Sequence, residues 1–135
     1  MAAITDLPVD LDARLRERDY GPWQGLTHPE IQDRYPDDYA RWGTAEPLAE
    51  TAIETLSDMA KRVCAALLDV AARLDEGGTA VVVTHGGSAR AGTASLLGWP
   101  VERSYSLGAL GNCHVSELRH TPERGWQLRA HNLRP

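Results

Sequence analysis

The stretch that decides the fold covers residues 79–90 and reads Thr-Ala-Val-Val-Val-Thr-His-Gly-Gly-Ser-Ala-Arg. Residues 80–83 form an unbroken apolar run rich in β-branched side chains, which is typical of a parallel strand buried on both faces. His85 follows at the carboxyl end of this predicted strand. Gly86 and Gly87 then allow the backbone to turn sharply and to approach a ligand closely. The alternative interpretation is a histidine that merely caps a turn.

Helical patterns flank this predicted strand on both sides. Residues 88–97 follow it with helical spacing, and Gly98 ends the pattern. Ahead of it, the spacing predicts a long helix over residues 52–74. Because ligands bind at the carboxyl ends of strands in open α/β sheets, and because helix N-termini attract anions, this junction is a candidate phosphate site.

The long predicted helix has its own start signal and an apolar face. Thr51 and Glu54 form a capping box. The apolar residues that recur at helical spacing predict a stripe facing the core, whereas Lys61, Arg62 and Asp69 lie off that stripe. The stripe consists of Leu56, Met59, Ala60, Val63, Leu67, Val70 and Leu74.

Two further regions read as strands. Residues 7–15 alternate apolar with polar side chains, which predicts a strand with one covered face. A polar stretch containing Glu17 follows, and then a loop rich in glycine that begins at Tyr20. Near the other end, residues 113–118 and 126–131 predict two strands of a hairpin.

Length and composition indicate one globular domain, which we assign to residues 1–135. The formal net charge is −5, and no basic stripe is present, so a nucleic-acid partner is not expected. No apolar run is long enough to span a membrane, so no membrane partner is expected either. The first residues lack the pattern of a secretory leader. We therefore expect a cytoplasmic protein, with no metal and no cofactor.

In this order, the motifs resemble those of the histidine phosphatase superfamily, the phosphoglycerate-mutase-like enzymes. The resemblance covers nearly the whole chain. It rests on Leu15-Arg16-Glu17-Arg18-Asp19-Tyr20-Gly21-Pro22-Trp23-Gln24-Gly25, the long helix, Val83-Thr84-His85-Gly86-Gly87, and Gly111-Asn112-Cys113-His114-Val115-Ser116-Glu117-Leu118. It implies an α/β fold with three α/β/α layers and a mostly parallel sheet.

The resemblance also implies a mechanism. In this family one histidine attacks phosphorus to form a phosphohistidine, while a second histidine and arginines hold the phosphoryl oxygens. His85 matches the second histidine, and Glu17 matches the carboxylate that acts as general acid and then as general base. We assign Tyr20, Gly86 and Gly87 to substrate binding. These roles agree with phosphoryl transfer, which depends mostly on positioning and on charge stabilisation.

One departure from the family pattern is large. The nucleophilic histidine of the family lies in an Arg-His-Gly motif after its first strand, and these 135 residues contain no Arg-His-Gly. We therefore expect the C-terminal portion of such a domain, without its first strand, helix and second strand. An unpaired edge in the middle of the sheet would follow, and such edges pair or aggregate. Self-association, most simply as a homodimer, is the expected result.

Two details favour a phosphatase over a mutase. Mutases of this family resemble one another in carrying Asn where this chain has Gly87. They also carry paired arginines and a long insertion, whereas residues 40–43 here are a short Ala-Arg-Trp-Gly. The substrate is then a small phosphomonoester. Residues 23–28 resemble those of actinobacterial-type members that act on sugar or glycerate esters.

Other interpretations stay open at this point. One alternative is a mutase-type isomerase, and another is a non-catalytic remnant that binds phosphate or dimerises. His28 or His114 offers another attacking nitrogen. Gly86-Gly87-Ser88-Ala89-Arg90 also nearly matches the Gly-x-Ser-x-Gly elbow of serine hydrolases, although Arg90 stands where that motif has glycine.

Overall fold

The computed structural model describes residues 7–42, residue 48 and residues 52–134. Within these residues the regular elements are mostly helical. Short 3₁₀ turns lie at Ala13–Leu15, Gly21–Trp23 and Val101–Ser106. In chain order the remaining elements are α1 (His28–Arg34), α2 (Pro36–Ala40), α3 (Leu56–Ala72), α4 (Gly86–Leu96), β1 (Val115–Thr121) and β2 (Gly125–Leu133).

Helix α3 confirms the long predicted helix but begins later than expected. Its N-cap is Thr55, whose side chain accepts a hydrogen bond from the backbone N–H of Asp58. The predicted capping box involved Thr51, which lies outside the described residues. Glu54 points instead to Arg62, which it pairs at 2.5 Å. A threonine with an acidic residue three positions later is a start signal in either register, so the sequence alone did not separate the two.

The core lies where α3 packs against α4. Val63 on α3 is completely buried, and Gly92 on α4 faces it so closely that a Cβ at position 92 would lie 3.0 Å from the Cβ of Val63. Glycine at this position therefore sets the distance between the two helices. The buried residues of this core are Leu56, Met59, Ala60, Val63 and Ala91.

Helices α1 and α2 carry a second, aromatic cluster. Helix α1 begins with a capping box, in which the backbone N–H of Thr27 donates to the Glu30 carboxylate at 2.8 Å. Trp23 is buried at the centre of the cluster, and its ring centroid lies 5.1 Å from that of Trp42. The cluster also contains Tyr20, Leu26, Ile31, Tyr35, Tyr39, Leu48 and Ile53.

The predicted hairpin is also confirmed. Strands β1 and β2 pair antiparallel, with Leu118 opposite Leu128 and His120 opposite Trp126. The chain reverses before Gly125, whose φ of +64° suits glycine. The register shifts between Val115 and Leu118, so the hairpin twists near its open end.

The two other predicted strands are wrong for this structure. Residues 7–12 and 79–85 are not assigned to any strand, and Val81 and Val83 are 72% and 69% exposed instead of buried on both faces. The only sheet among the described residues is the antiparallel hairpin, so these residues do not form the expected three-layer parallel sheet. A strand exists only through hydrogen bonds to a neighbour, and a valine-rich sequence does not supply the neighbour.

The two extended segments nevertheless meet. The hydroxyl group of Thr84 donates a hydrogen bond to the carbonyl oxygen of Leu15 at 2.5 Å. This contact brings the end of one predicted strand beside the end of the other. No helix among the described residues is both long enough and apolar enough to cross a membrane.

Candidate active site

The Glu17 carboxylate lies at the N-terminus of α4. Oε2 accepts a hydrogen bond from the backbone N–H of Gly87 at 3.0 Å, and Oε1 accepts one from the N–H of Ser88 at 3.1 Å. Oε1 also accepts from the backbone N–H of Arg18 at 2.9 Å. The first N–H groups of a helix have no partner inside the helix and carry partial positive charge, so they hold a carboxylate well.

His85 is the N-cap residue of this same helix. Its backbone is extended, with φ of −101° and ψ of 161°, and its carbonyl oxygen accepts from the N–H of Ala89 at 2.8 Å. The imidazole makes no capping hydrogen bond and the residue is exposed. The structure therefore places His85 and Glu17 at one helix end, whereas the strands expected beside them are absent from the described residues.

Tyr20 lines the crevice beside this helix end, and the crevice has a volume of about 170 Å³. Burial and the nearby charge of Glu17 raise the pKa of the Tyr20 phenol, so its hydroxyl group stays protonated. Arg18 and Arg90 bring positive charge to the walls. The guanidinium of Arg90 lies 4.6 Å above the ring of Tyr105. Positive side chains at a helix N-terminus favour a phosphate dianion.

A larger cavity adjoins this crevice and shares Tyr20 and Trp42 with it. It has a volume of about 320 Å³, and its walls are mainly aromatic. Gln24 and His28 add polar groups at its lining. The crevice with its charged walls and the larger cavity with its aromatic walls therefore lie side by side.

Ser88 does not have the exposure of a hydrolase nucleophile. Its side chain is completely buried, and its hydroxyl group donates to the carbonyl oxygen of Arg16 at 2.6 Å. The strand that would precede a nucleophile elbow is also absent from residues 79–85. These observations count against the serine-hydrolase interpretation.

The other histidines that the sequence offered as nucleophiles lie in different surroundings. His114 is fastened to the hairpin, where its Nδ1 lies 2.6 Å from Oδ1 of Asn132. His28 lines the aromatic cavity and lies 3.4 Å from the hydroxyl group of Tyr39. Among the described residues, no group of three or more His, Cys, Asp or Glu side chains is arranged to hold a metal ion.

Sequence reasoning missed Arg62. It was placed on the polar side of α3, yet its side chain is only 15% exposed and reaches across to the loop that carries Glu17. Helical spacing separates the apolar stripe from the other faces, but it does not distinguish an arginine in solvent from one that binds a neighbouring loop. The only signal was the nearby Glu54, at a spacing of eight residues, which is longer than the three or four residues that separate interacting side chains within one helix.

Comparisons with known proteins identify the family of the chain. The family model of the histidine phosphatase superfamily (branch 1) matches residues 1–134. A glucosyl-3-phosphoglycerate phosphatase from Mycolicibacterium vanbaalenii is 35% identical over 125 residues, which are 87% of this chain and 56% of that protein. Phosphoserine phosphatase 1 from Hydrogenobacter thermophilus is 32% identical over 125 residues, which are 92% of this chain and 58% of that protein.

A solved structure leads to the same family. The complex of a mycobacterial glucosyl-3-phosphoglycerate phosphatase with inorganic phosphate has a TM-score of 0.83 and 34% identity, covering 98% of this chain and 69% of that one. The chain spans about half the length of the curated relatives it matches. Because the family model matches almost every residue, the chain belongs to the histidine phosphatase superfamily.

Proposed function

We propose that the chain carries the phosphate-binding and proton-transfer half of a phosphomonoester hydrolase. The observation that supports this most directly is the meeting of Glu17 with the N-terminus of α4, where His85 is the N-cap. In this proposal His85 and the amide group of Gly86 hold phosphoryl oxygens, whereas the amide group of Gly87 binds the Glu17 carboxylate beside them. The positive wall formed with Arg18 and Arg90 adds charge stabilisation.

Glu17 then acts on the leaving group. An alkoxide is a poor leaving group, so its oxygen must receive a proton as the P–O bond breaks, and a carboxyl group in the crevice supplies it. The same group, now a carboxylate, removes a proton from the water that releases phosphate. In the intact form of the enzyme this water attacks a phosphohistidine. These 135 residues contain no Arg-His-Gly, so the attacking histidine of the family is not supplied by the expected motif.

Hydrolysis is favoured over mutase-type isomerisation by the space at Gly87. A Cβ atom at position 87 would lie 2.7 Å from Oε1 of Glu17. The asparagine that mutases of the family carry at this position would therefore crowd the Glu17 carboxylate. Gly87 leaves the carboxylate close to the helix end.

The proposed substrates are phosphomonoesters of sugar or glycerate type. The names of the relatives support this class, because they act on glucosyl-3-phosphoglycerate and on phosphoserine. The aromatic cavity supports it as well, since sugar rings stack on aromatic faces and Tyr20 and Trp42 connect that cavity to the phosphate crevice.

Inorganic phosphate is the probe that tests the binding half of the proposal. In NMR titrations of the purified chain, phosphate should shift the amide resonances of Gly86 and Gly87, and His85→Ala should abolish those shifts. His120→Ala, in the hairpin, is the matched control and should leave them unchanged. If phosphate moves none of the helix-end amides in the wild-type chain, the proposal fails.

Turnover tests the catalytic half. We expect this chain alone to hydrolyse p-nitrophenyl phosphate poorly, because removal of a covalent nucleophile costs about a million-fold in turnover. In any residual activity, Glu17→Gln should reduce turnover of alkyl phosphates more than that of p-nitrophenyl phosphate, whose leaving group needs little protonation. Glu123→Gln, in an exposed turn, is the control. Equal losses for both substrates would contradict the acid role.

High phosphatase activity of this chain would contradict the expectation of low turnover. Activity comparable to that of intact family enzymes, abolished by His28→Ala or His114→Ala, would show that another histidine has taken over the attack. The competing interpretation, a non-catalytic module that binds phosphate or dimerises, predicts phosphate binding with no turnover at all above the uncatalysed rate.

We also propose that the chain forms a homodimer through its extended segments. Leu11, Val81 and Val83 are 96%, 72% and 69% exposed, and the backbone beside them belongs to no sheet. A second copy can pair with these segments and cover the valines. Sedimentation should show a dimer that Val81→Thr with Val83→Thr weakens. A stable wild-type monomer at micromolar concentration would refute this proposal. The cytoplasmic location and the absent N-terminal strand–helix–strand unit stay predictions from the sequence.

A further inference from the structure

The side chain of Arg62 is devoted to one short loop. A guanidinium group has five N–H donors, and each of these donors has an acceptor in the structure. Nη1 donates to the carbonyl oxygens of Arg14 at 2.7 Å and Arg16 at 2.8 Å, and Nη2 donates to that of Glu17 at 3.0 Å. The two remaining donors bind the Glu54 carboxylate, at 2.5 Å from Nε and 2.7 Å from Nη2.

Glu54 holds the other side of the same loop. Its carboxylate accepts a hydrogen bond from the backbone N–H of Asp19 at 3.1 Å, and its own backbone N–H donates to the carbonyl oxygen of Asp19 at 2.9 Å. Its carbonyl oxygen accepts from Nε of Arg18 at 2.6 Å. The backbone on both sides of Glu17 is therefore fastened to one ion pair, whose side chains are 15% and 12% exposed.

These hydrogen bonds matter because the loop pairs with no β-strand among the described residues. The carbonyl groups at positions 14, 16 and 17 face no strand among the described residues, and buried carbonyl groups without partners are costly. Arg62 donates to all three of these carbonyl groups, and Ser88 donates to that of Arg16 as well, so Arg62 helps to determine the path of the backbone into position 17. From that path the carboxylate of Glu17 accepts hydrogen bonds from the N–H groups of Gly87 and Ser88.

We infer that Arg62, held in orientation by Glu54, is the positioning residue of the general acid. It touches neither substrate nor phosphoryl group; it sets the position from which Glu17 enters the crevice. The catalytic consequence rests on the proposed function of Glu17, whereas the positioning itself does not. A lysine cannot replace it, because an ammonium group has three donors and lacks the planar fork that spans a carboxylate and several carbonyl oxygens.

The experiment monitors Glu17 through the two backbone N–H groups that donate hydrogen bonds to its carboxylate, those of Gly87 and Ser88. In a pH titration monitored by NMR, the amide resonances of Gly87 and Ser88 should report protonation of the Glu17 carboxyl group, and Glu17→Gln should remove that titration. Arg62→Lys and Arg62→Met should each remove it as well. Lys61→Met, next to Arg62 but with an exposed side chain, should keep it.

Folding and positioning are separated by a second variant. Glu54→Gln keeps the shape of the side chain and weakens its hold on Arg62, so it should disturb the titration of the two amides while the circular dichroism of α3 stays unchanged. If Arg62→Met fails to fold, Arg62→Lys and Glu54→Gln decide the question. A wild-type titration in both of these folded variants would overturn the inference.

Kinetics then connect the positioning to catalysis. Where turnover is measurable, Arg62→Lys should lower kcat for alkyl phosphates by about 100-fold, the cost of misplacing a reacting group by about 1 Å, with little change in KM. If Glu17→Gln leaves turnover unchanged but the Arg62 variants still lose the amide titration, the acid role fails and the positioning role stands. The reverse result would refute the positioning role alone.

Discussion

A Cβ atom at position 87 would lie 2.7 Å from Oε1 of Glu17, so the two residues are in a contact that only glycine permits. The N–H of Gly87 donates to the same carboxylate at 3.0 Å. The absence of a side chain at Gly87 therefore allows the Glu17 carboxylate to take this position. It connects the second histidine motif to the loop that carries Glu17.

Gly87→Ala should displace the acid without unfolding the protein. The atom that must give way is the flexible end of the Glu17 side chain, so we expect the free energy of unfolding to change by less than about 1 kcal/mol. The titration of the Gly87 and Ser88 amides should nevertheless be lost. Gly86→Ala is the matched comparison, because its Cβ would lie 3.6 Å from the Leu110 carbonyl oxygen, an ordinary contact distance. Retention of the titration in Gly87→Ala would contradict the prediction.

The contact between Gly92 and Val63 should be a strong determinant of stability. Gly92→Ala forces α3 and α4 apart, and we expect a loss of about 1–3 kcal/mol in the free energy of unfolding by urea. Val63→Ala should also destabilise, by leaving a cavity. In the double variant the new methyl group occupies that space, so the two losses should fall short of additivity by about 0.5–3 kcal/mol. Strictly additive losses would show that the side chains do not meet.

Acid should weaken the hold of Glu54 on its loop. The hydrogen bonds from Arg62 hold the pKa of the Glu54 carboxyl group below its ordinary value. A carboxyl group with a depressed folded-state pKa contributes stability above its unfolded pKa of about 4.3 and loses that contribution as pH falls through the folded value. Glu54→Gln should thus lower the free energy of unfolding most near neutral pH, and the difference should shrink below about pH 4.

Urea unfolding across this pH range measures that difference directly. Glu123→Gln, in the exposed turn of the hairpin, is the control and should follow the wild-type curve at every pH. A difference between wild type and Glu54→Gln that stays constant through acid pH would mean that the ion pair contributes nothing through its charge.

Local signals predicted the helices and the hairpin well. Thr27 with Glu30 begins α1, and Gly98 follows the end of α4, because caps and stops are interactions between near neighbours in sequence. The predicted strands at residues 7–15 and 80–83 were wrong, since a strand depends on a partner that no local pattern contains. The predicted long helix also extended too far at its C-terminal end, because α3 ends at Ala72 and Leu74 is 39% exposed.

The candidate site shows the same distinction between local sequence signals and contacts between distant residues. His85 and Glu17 were assigned by resemblance to a family, and the structure brings their segments to one helix end. No sequence pattern indicated the role of Arg62. Its five acceptor atoms belong to four residues in the loop and just before α3, which are Arg14, Arg16, Glu17 and Glu54. Tertiary hydrogen bonds of this kind appear only once the loop and the helix lie side by side.

The long sequence separation of these contacts has a consequence for the order of events on the ribosome. Glu17 leaves the ribosome early, but its amide partners follow 70 and 71 residues later, and the threonine hydroxyl that binds Leu15 follows 69 residues after it. Synthesis adds about 5–20 residues per second, so these partners emerge seconds later, whereas a helix forms in about a microsecond. The nascent chain therefore holds α1 with its aromatic neighbours well before the Glu17 carboxylate can meet the amide groups of Gly87 and Ser88.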